Sequence, residues 1–402
     1  MRMVALDIYS LKKSVGNALF MLFILILTLD PTSAIFHMKD LFFVLLVGYN
    51  AVCFRPDYSK LPLIIAAFSV VVVAWVFATM QDVIIDMESA LALLKSLSPM
   101  VLLLWIREYD LLSLARIPIV IASLVVVSLF WIIVIVPETE APIYFFFNTM
   151  GNDTIMMSWR TILGIEIFTM YYKSIVSFIL VFAAFIVASF NKQKRNWRVI
   201  LSMLIVLHAF IISGTRSTML LPFFLLGIIT YREYKDTRYF KYILYPLIFI
   251  LSVAFIILLF MFIMEKDEAS NIVKYAHLFS YWELFREHPQ YLLFGQGPGS
   301  AFYSSGFLRM TTVTEWTYIE LIRYFGIFSL IIVYAFYRPL VRMWNDRKNN
   351  LSYALFWGYL AYLAIAGTNP LLLSSTGMLA LLIAYSYEEK LKRKELCIQS
   401  QY

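Results

Sequence analysis

The residues of this chain most suited to chemistry lie in a short polar segment between two long apolar runs. Arg216 lies there among the hydroxyl side chains of Ser213, Thr215 and Ser217. An arginine within an apolar region is costly unless it faces a partner or a water-filled cavity. Its planar guanidinium suits phosphate oxygens, and a helix beginning here would add free backbone N–H groups. We predict that this segment binds an anion; the structural alternative is an arginine reaching the membrane interface.

A second segment combines basic residues with a run of glycines. Arg286 and His288 precede Gly295, Gly297 and Gly299. Glycines at this spacing let a backbone approach a ligand closely, but the Lys-Ser/Thr pair of a nucleotide P-loop does not follow them. We predict that this loop contacts a substrate, and a plain turn is the alternative.

A third segment has carboxylates at the start of an apolar run. Glu315 lies at the predicted mouth of a helix, where a carboxylate can accept a proton from a hydroxyl. Glu320 and Arg323 are three residues apart, which is the spacing of neighbours on one helical face. A buried ion pair is the favoured interpretation for these two, and Arg323 is also a candidate for substrate binding.

Smaller signals accompany these segments. Arg160 and Lys173 flank another predicted loop on the same side and are candidate substrate contacts, as is Tyr303 in the loop that holds the glycines. Lys95 lies within a predicted span. His208 is expected to pack against neighbouring residues of the helix bundle and not to bind a ligand. The spacing of Cys and His predicts no metal site.

The composition predicts the fold class: an all-α polytopic integral membrane protein. Hydrophobic residues make up 61% of the chain and charged residues 15%. Repeated apolar runs approach the roughly 20 residues that a helix needs to cross a bilayer. We predict about twelve transmembrane helices, at residues 15–30, 38–53, 61–80, 89–106, 117–136, 171–190, 198–213, 217–231, 242–264, 316–336, 351–368 and 371–387.

The distribution of basic residues predicts the orientation of these helices. Most of the 33 Lys and Arg residues fall in alternate loops and at the two ends of the chain, which places both termini in the cytoplasm. The net charge of +7 is then a topology signal and gives no reason to expect nucleic acid as a partner. Cys53 and Cys397 both fall on the reducing side, where a structural disulfide is not expected.

The predicted spans divide the chain into five parts. They are an N-terminal bundle of five spans (1–136), a first periplasmic loop (137–170), central spans with the Arg216 hinge (171–264), a large periplasmic loop (265–315), and C-terminal spans with a cytoplasmic tail (316–402). The large loop is far longer than an ordinary helix connection. Because it is rich in aromatic residues, we expect it to be ordered, with an amphipathic helix over 270–287.

The three segments, in this order, resemble the bacterial O-antigen polymerase and ligase superfamily (Wzy and WaaL types). Residues 213–220 look like the Ser-Gly-x-Arg hinge of that family. The spacing from Arg286 to Gly297 resembles the arginine–glycine spacing in polymerase outer loops, and residues 292–300 and 314–327 resemble the segments that close the loop and enter the next helix. The resemblance covers about 198–335 and the overall topology, while the first 190 residues match only in hydropathy.

The resemblance implies a GT-C-like fold in the bacterial inner membrane, with a periplasmic active site and no metal or cofactor. The implied reaction transfers a glycan chain from undecaprenyl diphosphate to the sugar hydroxyl of another lipid-linked repeat unit. Arg216 would stabilise the departing diphosphate, assisted by Arg286 or Arg323. Glu315 would act as the base, with His288 in reserve. Membrane lipids, a chain-length regulator and a flippase are the implied partners.

Two alternatives to a polymerase stay open. Ligases commonly carry a His-Asn pair after the large loop, where this chain has Glu315 and Trp316, so the polymerase is favoured over the ligase. A polysaccharide or lipid transporter would concentrate polar residues near the bilayer midplane, whereas here they collect at the predicted outer mouth.

Overall fold

The computed structural model describes residues 2–150, 154–162, 165–191, 193, 196–237 and 269–399. Long helices form most of this part of the chain, joined by short connections and two small β-hairpins. The α-helices are α1 (Arg2–Leu29), α2 (Lys39–Cys53), α3 (Leu61–Met80), α4 (Met87–Leu97), α5 (Leu111–Leu114), α6 (Arg116–Ile135), α7 (Glu140–Phe145), α8 (Ile179–Phe190), α9 (Trp197–Ile212), α10 (Arg216–Tyr234), α11 (Ala269–Glu287), α12 (Tyr291–Phe294), α13 (Thr317–Phe325), α14 (Ser329–Asn345), α15 (Asn350–Ala366) and α16 (Ser375–Gln399).

Helical segments of membrane-spanning length and composition are present, as predicted. Within the described residues, five are long and apolar enough to cross a membrane: Ile8–Leu29, Tyr58–Met80, Met87–Glu108, Leu111–Ile135 and Thr317–Asn345. Two shorter apolar helices span Ile175–Phe190 and Trp197–Ile212. The predicted span at 242–264 lies outside the described residues.

Helix α8 forms the centre of the bundle. Almost every side chain from Ile175 to Ile186 is buried, and the helix packs against α9, α10 and α15. A helix that is apolar on all sides is stable only when neighbours surround it. By contrast, α3 leaves Ile65, Val72 and Val76 exposed, which suits a face turned toward lipid.

Two predicted spans are interrupted. Helix α4 continues as a 3-10 helix over Ser98–Glu108, which begins with Pro99 in its first turn. The predicted span at 316–336 breaks between α13 and α14 at Gly326, whose φ of +55° favours glycine. A side chain there would also meet the backbone of Leu293 at 2.4 Å.

The described chain is mostly helical, as the all-α fold class predicts, and it also contains two antiparallel β-hairpins. Strand β1 (Ile155–Ile162) pairs with β2 (Ile165–Tyr172), and the shorter β3 (Phe302–Ser304) pairs with β4 (Arg309–Thr311). The predicted helix at 171–190 consequently starts later, as a 3-10 turn at Ile175 followed by α8. Where it is described, the predicted large loop contains α11, α12 and the second hairpin, and α11 covers the range of the helix predicted over 270–287.

Candidate functional site

A cavity of about 800 Å³ lies where α10, α11, β2 and the segment between α15 and α16 meet. We call it the hinge cavity. Four of the predicted site residues line it: Lys173, Thr215, Ser217 and Glu315. These residues are far apart in sequence, so the fold collects them into one site.

The Arg216 hinge forms one wall of the hinge cavity. Helix α9 ends at Ile212 and α10 begins at Arg216, with Thr215 in an extended conformation as its N-cap. Thr215 and Ser217 both line the cavity, so the N-terminus of α10 lies at its wall. The first N–H groups of a helix lack internal partners and favour an anion. The side chain of Arg216 lies outside the part that the structure describes.

The hinge is held by contacts that only small residues allow. Gly214 has φ of +66°, and a side chain there would meet Thr169 of β2 at 2.2 Å. Ser213 is buried, and its hydroxyl donates to the carbonyl of Phe210 at 2.7 Å and contacts Thr218. Ser213 therefore stabilises the turn and is not among the residues that line the cavity, and its role in substrate binding stays a prediction.

Glu315 lies in the hinge cavity beside a lysine that the sequence analysis missed. Lys274 Nζ is 3.2 Å from Glu315 Oε2, and both side chains are about one-third exposed. The backbone carbonyl of Lys274 also accepts a hydrogen bond from the Trp316 indole at 3.0 Å. These contacts join α11 to the start of α13. The cavity thus holds a solvent-accessible carboxylate next to a cation.

A second cation comes from the first hairpin. Lys173 follows β2 directly, and its backbone N–H donates to the carbonyl of Thr154 at 3.2 Å, which extends the hairpin ladder. This places Lys173 at the cavity wall. Arg160 lies on β1 opposite Ile167, and its side chain is outside the described part.

The far wall of the hinge cavity comes from residues 368–376, which the sequence analysis also missed. Thr368, Asn369, Ser374, Ser375 and Thr376 supply polar groups there. The backbone carbonyl of Asn369 accepts a hydrogen bond from the hydroxyl of Thr317 at 2.5 Å. A sequence signal exists in hindsight, because hydroxyl and amide residues cluster between two apolar runs on the predicted outer side.

The glycine loop packs against helices and does not line the hinge cavity. Gly295, Gly297 and Gly299 have φ of +77°, +91° and +83° and are buried. Side chains on them would meet, respectively, the backbone of Tyr324, Ala78 and the backbone of Asp86, each within 2.6 Å. The close approach predicted from these glycines is real, but its partners are α3, α13 and the start of α4. These contacts explain the glycines by packing, and their contact with substrate stays a prediction.

This packing predicts a large effect of adding one methyl group to the loop. In Gly295→Ala, the new carbon would sit 2.3 Å from the carbonyl oxygen of Tyr324 at an unfavourable φ. We expect a loss of more than about 1 kcal/mol in the free energy of unfolding, measured by thermal unfolding in detergent. Gly48→Ala is the matched control, since α2 leaves open space around Gly48. Equal stability of both variants would contradict the packing role.

Glu320 and Arg323 form the predicted ion pair, and it is buried. Arg323 Nε and Nη2 lie 2.7 Å and 2.6 Å from Glu320 Oε2. Oxygen Oε1 of the same carboxylate accepts from the Tyr281 hydroxyl at 2.5 Å and from the Thr314 N–H at 2.8 Å. Burial and the neighbouring Glu320 carboxylate raise the pKa of Tyr281, so the phenol stays a proton donor in this network.

The remaining donors of Arg323 are engaged as well. Nη1 donates to Gln296 Oε1 and to both oxygens of Ser300, each at 2.9 Å. Nη2 donates to the carbonyl of Thr312 at 2.6 Å, and the guanidinium lies 4.6 Å from the centre of the Phe302 ring. Because every N–H group has an acceptor and the side chain is fully buried, the ion-pair interpretation is favoured over substrate binding by Arg323.

Three further predicted site residues lie elsewhere on the surface. Arg286, His288 and Tyr303 are exposed and do not line the hinge cavity. The His288 ring packs on Tyr291 with ring centres 5.0 Å apart. The structure does not bring these residues to the site as described.

Lys95 and His208 have structural contacts. Lys95 Nζ lies 2.5 Å from a carboxylate oxygen of Asp40. His208 Nε2 accepts a hydrogen bond from the Trp131 indole at 3.0 Å, and the two rings are stacked. The packing predicted for His208 matches this geometry.

A buried histidine joins α11 to the second hairpin. His277 Nδ1 is 2.7 Å from the Ser304 hydroxyl, and its ring stands edge-on to Phe307. Among the described residues, Nε2 is buried without a hydrogen-bond partner. Burial lowers the pKa of His277, and the carboxylates of Glu315 and Glu320 oppose this shift in part.

The lowered pKa of His277 predicts that acid loosens the outer loop. A histidine in the unfolded chain takes up its proton near pH 6.5, but the folded loop resists protonation. The stability that this group contributes is therefore complete above about pH 6.5 and is lost as the pH falls below it. We expect limited proteolysis within 269–315 to accelerate between pH 6.5 and pH 5. His277→Gln should show a flatter pH dependence, and equal acceleration in both proteins would exclude His277 as the cause.

The hinge cavity can therefore bind an anion next to a carboxylate, at one end of the helix bundle. Among the described residues, no group of three or more His, Cys, Asp or Glu side chains is placed to hold a metal ion. No protein-family model matches the chain, and no curated protein matches it significantly.

Proposed function

We propose that this protein is a polysaccharide polymerase that moves a glycan from undecaprenyl diphosphate to the hydroxyl of another lipid-linked repeat unit. One observation carries the proposal: the hinge cavity combines the N-terminus of α10, two lysines and a carboxylate. Such a site can hold a diphosphate and remove a proton from an attacking hydroxyl. Its volume of about 800 Å³ is in the upper part of the usual range for small-molecule sites, about 300–1,000 Å³.

Charge develops on the diphosphate as the glycosidic bond breaks. Donors fixed before the reaction stabilise that charge more in the transition state than in the ground state. Lys173, Lys274 and the backbone of the α10 N-terminus are at the cavity wall, and Arg216 is the first residue of that helix. We assign the leaving diphosphate to this side of the cavity.

Glu315 is the proposed base for the attacking sugar hydroxyl. Its carboxylate is accessible from the cavity, unlike the buried and fully hydrogen-bonded carboxylate of Glu320. Lys274 Nζ lies 3.2 Å from Glu315 Oε2, so a cation is held next to the proposed base. After bond formation the proton resides on Glu315, and the diphosphate departs with the bonding electron pair.

The membrane arrangement belongs to the same proposal. We infer about twelve spans of GT-C-like architecture in the bacterial inner membrane, both termini in the cytoplasm and the hinge cavity open to the periplasm. The basic residues between predicted spans support this orientation. The polar groups collect at the ends of helices, which favours transfer at the membrane surface over transport through its middle.

The deciding experiment is a gel of surface polysaccharide from the source strain without this gene. Glycans of increasing repeat number form a ladder of bands on such a gel. Without the gene, we expect this ladder to collapse to the band with a single added repeat. The ladder should return when the wild-type gene is supplied. Loss of all attached glycan, with full-length polymer on the lipid carrier, would indicate a ligase. An unchanged ladder would exclude both enzymes and redirect attention to transport.

A further inference from the structure

A second large cavity lies at the opposite end of the same helices. It encloses about 980 Å³ and is formed by the start of α6, the ends of α8 and α10, the start of α15 and the middle of α16. We call it the basic cavity. Along α10, Ser217 lines the hinge cavity and Glu233 lines the basic cavity. Sixteen helical residues correspond to roughly 24 Å, close to the roughly 30 Å thickness of a bilayer core.

The basic cavity carries an excess of positive charge. Arg116, Lys348, Lys390 and Lys394 line it, against a single acidic side chain, Glu233. Lys390 is neutralised by Asp110, which lies 2.7 Å away outside the lining. In the described part of the chain, the other three cations form no ion pair.

Arg116 lines the basic cavity with a hydrogen-bond donor that lacks an acceptor within the residues that the structure describes. Its Nε is buried and has no hydrogen-bond acceptor among the described residues. Its guanidinium lies 5.9 Å from the centre of the Phe185 ring, and this ring contact provides no hydrogen-bond acceptor for Nε. Buried donors in proteins are almost always paired, so an acceptor from outside the chain suits this position.

The wall beside these cations is apolar. Ala184, Val187 and Leu391 line the same cavity. A cavity that combines basic side chains with an apolar wall, at one end of the helices, matches a molecule with a phosphate at one end and hydrocarbon at the other. Basic pockets between membrane helices commonly bind such headgroups. Membrane topology alone predicts basic residues scattered over loops, not converging on one cavity between helices.

We propose that the basic cavity binds the headgroup of an anionic phospholipid. The phosphate would accept hydrogen bonds from Arg116 and lie between Lys348 and Lys394, while the acyl chains follow the apolar wall. This inference does not depend on the reaction proposed for the hinge cavity. Binding would stabilise the packing of α6, α8, α10, α15 and α16 at this end of the bundle.

The test uses the full-length protein in an uncharged detergent, with unfolding temperature as the readout. Phosphatidylglycerol is expected to raise that temperature by several degrees at concentrations where phosphatidylcholine has no effect. The variant Lys348→Gln/Lys394→Gln alters two exposed side chains and should need at least tenfold more phosphatidylglycerol for the same shift. Arg55→Gln/Arg393→Gln is the matched control, since both residues are exposed, lie outside the cavity lining and remove the same charge.

Three outcomes would overturn the proposal. The first is an equal shift with phosphatidylcholine, which would show that any lipid suffices. The second is an equal shift with inorganic phosphate alone, which would identify the ligand as a free anion. The third is an equal loss of response in the control variant, which would reduce the effect to net charge.

Discussion

Replacing Arg216 with alanine is expected to abolish polymer formation while leaving the protein in the membrane. Arg216 is the first residue of α10, and its neighbours Thr215 and Ser217 line the hinge cavity. Removing one preorganised donor from such a site typically lowers the rate by about 10²–10³-fold. The measurement is the polysaccharide ladder in the complemented deletion strain, with membrane levels of the protein matched by immunoblot.

Two further variants sharpen this prediction. Arg216→Lys keeps the charge but loses the planar pair of donors, so we expect a shortened ladder between those of alanine and wild type. Arg286→Ala removes an exposed arginine outside the hinge cavity and should leave the ladder unchanged. A wild-type ladder from Arg216→Ala would remove this residue from the mechanism. An equal loss of the ladder in Arg286→Ala would indicate that the active site includes the loop that holds Arg286 and is not confined to the hinge cavity.

The second large effect concerns stability and involves the buried ion pair. In Arg323→Met, the Glu320 carboxylate keeps its hydrogen bonds to Tyr281 and Thr314 but loses its cation. Breaking a buried pair by removing one partner costs about 3–5 kcal/mol. We expect a clear fall in unfolding temperature in detergent and rapid proteolysis between 269 and 315.

A double variant separates the stranded charge from the lost packing. Glu320→Gln/Arg323→Met removes the isolated carboxylate, so it should be more stable than Arg323→Met alone. It should still be less stable than wild type, because Gln296, Ser300 and Thr312 lose their donor. If the double variant were no better than the single one, the charge of Glu320 would not be the source of the instability.

The hinge could be predicted from sequence because its signals are local. An arginine, several hydroxyls and one glycine interrupt two apolar runs, and together they require a turn with polar surroundings. Glu315 could also be predicted as a site residue, because it directly precedes an apolar run. The ion pair of Glu320 and Arg323 follows from helical spacing alone.

The roles of the glycine loop and of Lys274 depend on tertiary packing. Gly297 approaches Ala78, more than two hundred positions away in the sequence, and no local pattern distinguishes that partner from a ligand. Lys274 is one of several charges on α11, and no local pattern in the sequence indicates that the fold places it beside Glu315. The hairpin at 155–172 was missed because its second strand leads almost directly into the apolar run of α8.

The wall formed by residues 368–376 has a consequence for how the protein is made. Synthesis proceeds from the N-terminus, so this wall emerges from the ribosome after the hinge, Lys274 and Glu315. The hinge cavity cannot form until α15 and α16 have packed against the preceding helices, with the chain turning between them near Asn369. A chain halted before that point would have the hinge, Lys274 and Glu315 but would lack the far wall, so a partly synthesised protein would have an open groove in place of the hinge cavity.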